Sequence, residues 1–275
     1  MFAITTLIGL VGGIACIVAA IFEGGNLGLF INIPSFLIIV GGTCFALIMA
    51  YPFSTLKTLG AVIKQAFVQD RYDPIEVINT IIELSMVARR EGLLAIERYM
   101  ENIDNHFLKK GLNLLVDGID REDLEATMMN EIYQAQKRHR VGASMISMIA
   151  SVAPGLGLVG TYVGLIPMLV HMRDPEKLGP LMAIELVSSF YGGFMANVIF
   201  SPMARKLQSK STQEKDIDEL MLQGILGLHE GKNPRVLRED LLTYLTKEKA
   251  VKVAHTNRME HADGRVIEIR ESKTK

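Results

Sequence analysis

This chain of 275 residues has few cysteines and no excess of positive charge. Its two cysteines, Cys16 and Cys44, lie inside apolar stretches, so we expect no disulfide. Lysine and arginine number 29 against 30 acidic residues, which gives no support to nucleic-acid binding. The sequence has no P-loop, nucleophile elbow or metal-spaced His/Cys cluster, and residues 155–160 match the dinucleotide-binding pattern in letters only. We therefore expect no enzymatic activity and no cofactor or metal.

Charge is also nearly absent from four long apolar stretches. Residues 1–22, 24–56 and 141–170 contain no Asp, Glu, Lys or Arg, and residues 178–204 contain only Glu185. About 20 apolar residues are enough for a helix to cross a hydrocarbon core of ~30 Å. The first stretch lacks a basic start and is longer than the apolar part of a typical signal peptide, so we expect an uncleaved span. The sequence predicts an all-α, polytopic membrane protein with four transmembrane helices and a helical cytoplasmic domain.

Positive residues beside the spans predict the topology, because Lys and Arg accumulate on the cytoplasmic side. They follow the second span, precede the third and follow the fourth, at Lys57, Lys64, Lys137, Arg138, Arg140, Arg205, Lys206 and Lys210. The loop between the first two spans has no Lys or Arg, and the loop between the last two has only Arg173 and Lys177. The polar insert, the tail and both termini are therefore predicted to be cytoplasmic.

This topology divides the chain into five parts. They are a transmembrane hairpin (1–56), a cytoplasmic helical domain (57–140), a second transmembrane hairpin (141–204), a cytoplasmic helical tail (205–250) and a disordered end (251–275). The last part is polar and shows no pattern.

Helix signals in the polar regions are local and specific. Asp73 and Pro74 match an N-cap and a first helical position, and Gly92 is expected to end or bend that helix. An apolar stripe at helical spacing follows the start, at Ile75, Ile78, Ile81, Ile82 and Met86. Shorter helices are predicted over residues 93–102, 107–118, 213–228 and 234–245. A helix that begins at Asp120 shows no breaker before Ala153, so we expect it to continue into the third span.

Small residues and prolines inside the spans are candidates for helix packing and movement. Gly9 and Gly13, and likewise Gly160 and Gly164, are four residues apart and share a helix face, which allows close packing within the chain or between subunits. Pro154 removes a backbone hydrogen bond within the third span, which suits either a static kink or a hinge. Pro202 is expected to mark the membrane exit of the fourth span.

Polar residues at membrane depth are candidates for an ion path. Thr161 in the third span and Ser188 and Ser189 in the fourth lie roughly 12–17 Å deep, at ~1.5 Å per residue. Hydroxyls in helices also commonly bond the carbonyl four residues earlier, and that alternative remains open. Glu185 is the only carboxylate inside a span, and it lies close enough to the outer end to pair with Lys177 or Arg173. An acid deep in the membrane would have to come from another chain.

Three strings resemble those of the flagellar motor stator family of MotA and PomA. They are Ala-Arg-Arg-Glu-Gly-Leu-Leu-Ala-Ile-Glu at residues 88–97, Val-Ala-Pro-Gly-Leu-Gly-Leu-Val-Gly-Thr at 152–161, and Phe-Tyr-Gly-Gly-Phe-Met-Ala-Asn at 190–197. The arrangement of two spans, a polar insert, two more spans and a polar tail is also similar, and the likeness extends to about residue 245.

The resemblance implies a stator subunit in the bacterial cytoplasmic (inner) membrane that conducts H⁺ or Na⁺ and converts the flux into torque. Copies of the chain would surround the spans of a MotB-type partner, whose membrane aspartate carries the ion, with membrane lipid outside. Thr161 and one of Ser188 and Ser189 would face that aspartate. The Ser pair stands where the sodium-type pattern has Thr, and Glu185 departs from the small or apolar residues expected at its position, so the coupling ion stays open.

The resemblance also assigns residues to torque generation. Arg89 or Arg90, together with Glu97, would contact the rotor protein FliG. Pro154 and Pro202 would couple ion passage to a conformational change. An ExbB/TolQ-like energy transducer is the alternative, but that class has three spans and a different cytoplasmic arrangement.

Overall fold

The computed structural model describes residues 4–24, 27–68 and 73–245. No β-strand occurs in these ranges, and the predicted all-α class is confirmed. The α-helices are α1 (Ile4–Gly24), α2 (Ile33–Phe36), α3 (Gly42–Ala50), α4 (Phe53–Leu56), α5 (Leu59–Ala66), α6 (Pro74–Glu91), α7 (Glu97–Met100), α8 (His106–Val116), α9 (Arg121–Val170), α10 (Pro175–Phe194), α11 (Ser201–His229) and α12 (Pro234–Leu242). Two 3-10 turns, Leu27–Phe30 and Leu93–Ile96, and two π-helical segments, Leu37–Gly41 and Met195–Phe200, complete the order.

Four helical stretches are long and apolar enough to cross a membrane, as predicted. They are Ile4–Glu23, Ile33–Ala50, Arg121–Val170 and Pro175–His229, of which the last two extend well beyond their apolar parts. The second and fourth stretches each contain one of the π-helical segments. Such segments are uncommon inside helices and occur frequently at functional sites.

Prolines do not interrupt the two longest helical stretches. α9 continues through Pro154 and Pro167, which confirms the prediction of one helix from the polar insert into the third span. Pro202 is the second residue of α11, and that helix continues to His229. The helix of the fourth span therefore continues past Pro202, and the membrane exit at Pro202 stays a prediction.

The chain forms two compact units. The first, here called the span unit, comprises Met1–Asp70 and Gln134–Gln213. Its buried cluster joins residues from the second, third and fourth spans and α5, namely Leu47, Ala66, Ala143, Ile146, Ile149, Met203, Ala204 and Leu207. Lys210 Nζ donates to the carbonyl of Val68 at 2.9 Å, just after α5. The core of this unit therefore includes residues that follow the second span.

The second unit, here called the polar unit, comprises Arg71–Tyr133 and Glu214–Lys275. Its core is formed by α6, α8, the first part of α9, α11 and α12 around side chains such as Ile81, Leu112, Leu124 and Ile225. The five-part division predicted from membrane sidedness is a different division and stays a prediction. Its proposed disordered part, residues 251–275, lies outside the described residues.

α6 begins and ends as its sequence predicts. The Asp73 carboxylate accepts a hydrogen bond from the Ile75 amide at 3.1 Å, and Pro74 is the first helical residue. Gly92 ends the helix at φ +88°, a conformation that strongly favours glycine. Within the predicted apolar stripe, Ile78, Ile81 and Ile82 are buried, but Met86 is exposed. Met86 therefore lies off the buried face, because the stripe rotates around the helix along its length.

The segment after Gly92 is less regular than the predicted helix over residues 93–102. It consists of the 3-10 turn Leu93–Ile96 and the single turn α7, which ends at Met100. α8 and α12 also end two or three residues earlier than predicted. α11 is longer than the predicted 213–228 segment, since it begins at Ser201.

Asp218 in α11 is a half-buried acidic side chain. Burial raises its pKa to about 7, and the negative charges of Glu214 and Glu131 act in the same direction. Glu131 itself forms an ion pair with Lys110 of α8, with 2.5 Å between Lys110 Nζ and Glu131 Oε2. Because the folded-state pKa exceeds the ordinary value of 3.8, folding favours the protonated carboxyl.

Asp218→Asn is therefore expected to stabilise the polar unit above pH 7 by at most about 2 kcal/mol, since solvent reaches part of the carboxyl. The wild-type chain should lose stability as pH rises from about 4 through 7, and the variant should lose less. Thermal unfolding of the detergent-solubilised protein at pH 5 and pH 8 measures the difference. If Asp218→Asn lowered the unfolding temperature by the same amount at pH 5 and pH 8, the raised pKa of Asp218 would be contradicted.

Candidate functional site

Glycines bring the third and fourth spans into close contact. A Cβ atom on Gly160 would lie 2.4 Å from both Cβ and Oγ of Ser188, and one on Gly164 would lie 2.7 Å from the Leu181 carbonyl oxygen. A Cβ on Gly192 would lie 2.7 Å from the Ala153 carbonyl oxygen. Gly160 and Gly164 therefore pack within the chain. Gly9, by contrast, has open space around it, and Gly13 faces Val198.

Ser188 is the most constrained hydroxyl at this contact. Its side chain is fully buried against Gly160, and its Oγ has no hydrogen-bond partner in the part of the chain that the structure describes. Four residues earlier, the carbonyl oxygen of Ile184 accepts a hydrogen bond from Ser35 Oγ at 3.2 Å. A buried hydroxyl without a partner is costly, so Ser188 keeps an unmet hydrogen-bonding capacity inside the contact of the third and fourth spans.

Thr161 and Ser189 differ from Ser188 in their surroundings. Thr161 Oγ1 donates to the carbonyl of Gly157 at 3.0 Å, which is the bond to the preceding turn that hydroxyls in helices commonly make. Its side chain is half-buried and directly follows Gly160, the residue against which Ser188 packs. Ser189 is exposed on this chain. The structure thus brings Ser188 to the Thr161 turn and leaves Ser189 on an open face.

Glu185 is half-buried, one turn before Ser188 and Ser189. It lies beside Gly164, whose added Cβ would be 3.2 Å from the Glu185 Cβ. The expected pairing with Lys177 is not formed, because Lys177 pairs with Asp174 at 3.0 Å. Arg173 also forms no ion pair with Glu185 among the described residues.

Three further polar residues of the span unit were not predicted from the sequence. Ser35 is fully buried and links the second span to Ile184 of the fourth, and Tyr191 OH donates to the Phe30 carbonyl at 2.5 Å. Thr43 in the second span is buried, with no partner for its hydroxyl among the described residues. Thr43 could have been found from the sequence, because it is a hydroxyl residue inside the second apolar stretch, like Thr161 in the third. No local sequence signal identifies the Tyr191 contact.

The polar unit presents a charged and partly apolar surface around the turn after α6. Arg89 and Arg90 in the last turn of α6, and Glu97 at the start of α7, are exposed, and none of them forms an ion pair with a described residue. Their neighbour Arg98 differs, because it pairs with Glu91 at 2.5 Å. Leu94, between the two charged groups, is 72% exposed. We call Arg89, Arg90, Leu94 and Glu97 the turn surface.

Among the residues that the structure describes, no group of three or more His, Cys, Asp or Glu side chains is arranged to hold a metal ion. The observations define a multi-pass helical membrane protein. Its third and fourth spans enclose hydroxyl groups, and its polar unit exposes unpaired charges.

Comparison with known proteins identifies the family. The model of the MotA/TolQ/ExbB proton channel family matches residues 99–220, and that of the motility protein A N-terminal region matches residues 7–92. The chain is 37% identical to chemotaxis protein PomA of Vibrio alginolyticus over 90% of its own length and 96% of that protein. It is 38% identical to the uncharacterized protein YtxD of Bacillus subtilis, over 90% of its own length and 92% of that protein.

A solved structure agrees with these sequence matches. The flagellar MotAB stator complex from Bacillus subtilis contains a chain with a TM-score of 0.84 and 34% identity, covering 90% of this chain and 98% of that one. The chain belongs to the MotA/TolQ/ExbB proton channel family. Within that family it is a MotA-type stator subunit of the bacterial flagellar motor. The stator family consists of multi-pass inner-membrane proteins of a non-enzymatic kind.

Proposed function

We propose that this stator subunit, together with a MotB-type partner, conducts H⁺ or Na⁺ and converts the flux into torque on the rotor. The observation that carries the proposal is Ser188, a fully buried hydroxyl without a described partner at the contact of the third and fourth spans. A polar group in that position is stabilised when an ion, its water or a partner's carboxyl reaches it and forms the missing contact.

The ion-carrying acid is expected to belong to the partner. Glu185 is the only carboxylate in the four apolar stretches, and it lies toward the end of the fourth span that is remote from Arg205. The third span also leaves large apolar side chains exposed on this chain, including Leu158, Tyr162 and Ile166. Further copies of the chain, the partner's helices and membrane lipid would cover them, which supports a ring of subunits around the partner.

Within this path, Thr161 and Ser188 would face the partner's carboxyl. Ser189 is exposed on the isolated chain and would contact a helix of the partner or of a neighbouring subunit. Glu185 would lie at the outer approach, where its charge attracts cations. The ion could be H⁺ or Na⁺, since hydroxyl oxygens can accept a hydrogen bond from a hydronium ion or coordinate Na⁺.

The polar unit would be the part that acts on the rotor. With the insert and both termini in the cytoplasm, as the positive residues beside the spans predict, the turn surface would reach the rotor protein FliG. Its charges are not neutralised within the described chain, so they are available to a partner of complementary charge. Pro154 and Pro202, each lacking an N–H that would hold the helix rigid, would allow ion passage to move that surface.

Deletion of the gene tests this function directly. Deletion is expected to abolish or reduce swimming while flagella remain assembled, because a stator supplies torque and is not part of the filament. Swimming speed in buffers with and without sodium then identifies the ion, with the complemented strain as control. Unchanged motility, or loss of the filaments themselves, would contradict the proposal.

A further inference from the structure

The second span contacts the fourth through a buried hydroxyl. Ser35 in α2 is fully buried, and its Oγ lies 3.2 Å from the carbonyl oxygen of Ile184. Three residues after Ser35, Ile38 reaches the surroundings of Ser188, because a Cβ atom on Gly160 would lie 2.4 Å from Ser188 Oγ and 3.7 Å from Ile38 Cγ2. The hydroxyls of Ser35 and Ser188 therefore belong to one packed contact of the second, third and fourth spans.

The carbonyl of Ile184 is the usual acceptor for a hydroxyl at position 188. α10 includes both residues, so this carbonyl accepts the backbone amide of Ser188 four residues later. A carbonyl oxygen has two lone pairs, and a serine hydroxyl in a helix commonly donates to the second one. Here Ser35 Oγ takes that place from another span, and Ser188 Oγ has no partner among the described residues.

Ser35 has two acceptors for its single hydroxyl proton. Besides the Ile184 carbonyl at 3.2 Å, the Asn32 Oδ1 atom lies 3.0 Å from Ser35 Oγ. Asn32 Oδ1 also accepts a hydrogen bond from the Ser35 amide at 3.0 Å, as the N-cap of α2. When the Ser35 proton goes to Ile184, Ser188 is kept from that carbonyl. When the proton goes to Asn32, Ser188 can donate to the carbonyl instead.

We propose that Ser35 is a positioning residue for the ion path, which keeps the Ser188 hydroxyl free to donate to the partner's carboxylate. By donating to the Ile184 carbonyl, Ser35 occupies the acceptor that Ser188 would otherwise use within its own helix. A hydrogen bond to the ionised form of an acid favours that form, which for the partner's acid is the ion-free state. Ser35 thereby promotes release of the ion. The inference rests on the proposed function and deepens it.

A double-mutant cycle tests whether Ser35 acts through Ser188. Ser35→Ala, Ser188→Ala and the double variant are each expressed with the partner, and flux into membrane vesicles is measured against ion concentration. The titrated ion is Na⁺ at fixed pH, or H⁺ in sodium-free buffer. Ser35→Cys, whose thiol is a weak donor, is a second variant in case Ser35→Ala disturbs assembly. Thr43→Val is the matched control, because it removes another buried hydroxyl of the second span.

Ser35→Ala is expected to lower both the half-saturating ion concentration and the maximal flux by about tenfold, because the ion-free carboxylate loses a hydrogen bond and the ion leaves more slowly. In the Ser188→Ala background, the same substitution should change either value by less than about twofold. Ser35→Cys should shift both values in the same direction as Ser35→Ala, and Thr43→Val should shift neither. A loss of packing alone would reduce the amount of complex or its maximal flux without tightening ion binding.

Equal effects of Ser35→Ala with and without the Ser188 hydroxyl would overturn the role of Ser35. A lower maximal flux with an unchanged or higher half-saturating concentration would overturn it as well. Both results leave the proposed function standing. A wild-type complex that passes neither Na⁺ nor H⁺ would instead overturn the proposed function, and the role of Ser35 with it.

Discussion

Gly192→Ala is expected to abolish swimming, whereas Gly193→Ala should leave it nearly unchanged. A Cβ atom on Gly192 would lie 2.7 Å from the Ala153 carbonyl oxygen, 3.2 Å from Gly157 Cα and 3.3 Å from Pro154 Cα. All three are backbone atoms, so no side chain can rotate away. Gly193 has no atom within 4 Å of the corresponding position.

The two substitutions form a matched pair because their helix propensities change equally. Replacing a helical glycine with alanine favours the helix by roughly 1 kcal/mol at either position. Only Gly192→Ala must also separate the third and fourth spans, and such overpacking costs typically about 1–3 kcal/mol. The separation would also move Ser188 away from the Thr161 turn, so the ion path is affected together with packing.

Three measurements report assembly, ion conduction and torque separately. Protease resistance of the detergent-solubilised complex reports assembly, vesicle flux reports conduction, and swimming speed reports torque. Gly192→Ala is expected to lower all three, and Gly193→Ala none. Normal swimming of the Gly192→Ala variant would show that the close contact of the third and fourth spans is not needed for the working state.

Local features of the sequence, such as composition and capping residues, correctly predicted the four spans and α6. The four spans follow from the absence of charge over sufficient length, and α6 follows from Asp73-Pro74 at its start and Gly92 at its end. These features act locally, so they can be identified without knowledge of the tertiary contacts. The same local rules give helix ends only to within a few residues, as in α8 and α12.

The rotation of each span about its axis could not be predicted. Spans are apolar on every side, because lipid is as apolar as a protein core, so hydrophobicity does not distinguish their faces. For this reason the sequence left Ser188 and Ser189 equivalent, although one is fully buried and the other exposed. The bond from Ser35 Oγ to the Ile184 carbonyl joins positions 149 residues apart, and no local pattern indicates it.

Charge reversal on the turn surface is the second change with a large expected effect. Arg89→Glu with Arg90→Glu, or Glu97→Lys, should stop rotation while membrane assembly and ion conduction stay intact. These side chains are exposed and form no described ion pair, so their reversal removes no contact within the chain. Like charges brought together at an interface cost several kcal/mol, which is enough to prevent productive contact with the rotor.

Leu94 explains why the contact should be sensitive to these charges. It is 72% exposed at the tip of a turn that is held by the positive φ of Gly92 and by the Glu91–Arg98 ion pair. An apolar side chain surrounded by charges matches the arrangement of an interface anchor with a polar rim. The charges would then orient the rotor protein, and Leu94 would supply buried area once the two surfaces meet.

The matched control is Glu83→Lys, which reverses an exposed charge on the same helix but outside the turn surface. Swimming speed, vesicle flux and the amount of complex in the membrane are measured for each variant. The control should swim normally, and the turn-surface variants should conduct ions without producing torque. A compensating charge reversal in the rotor protein should restore rotation if the contact is direct. Full motility of the turn-surface variants would exclude them from torque transfer, and equal loss in Glu83→Lys would indicate a general effect of charge.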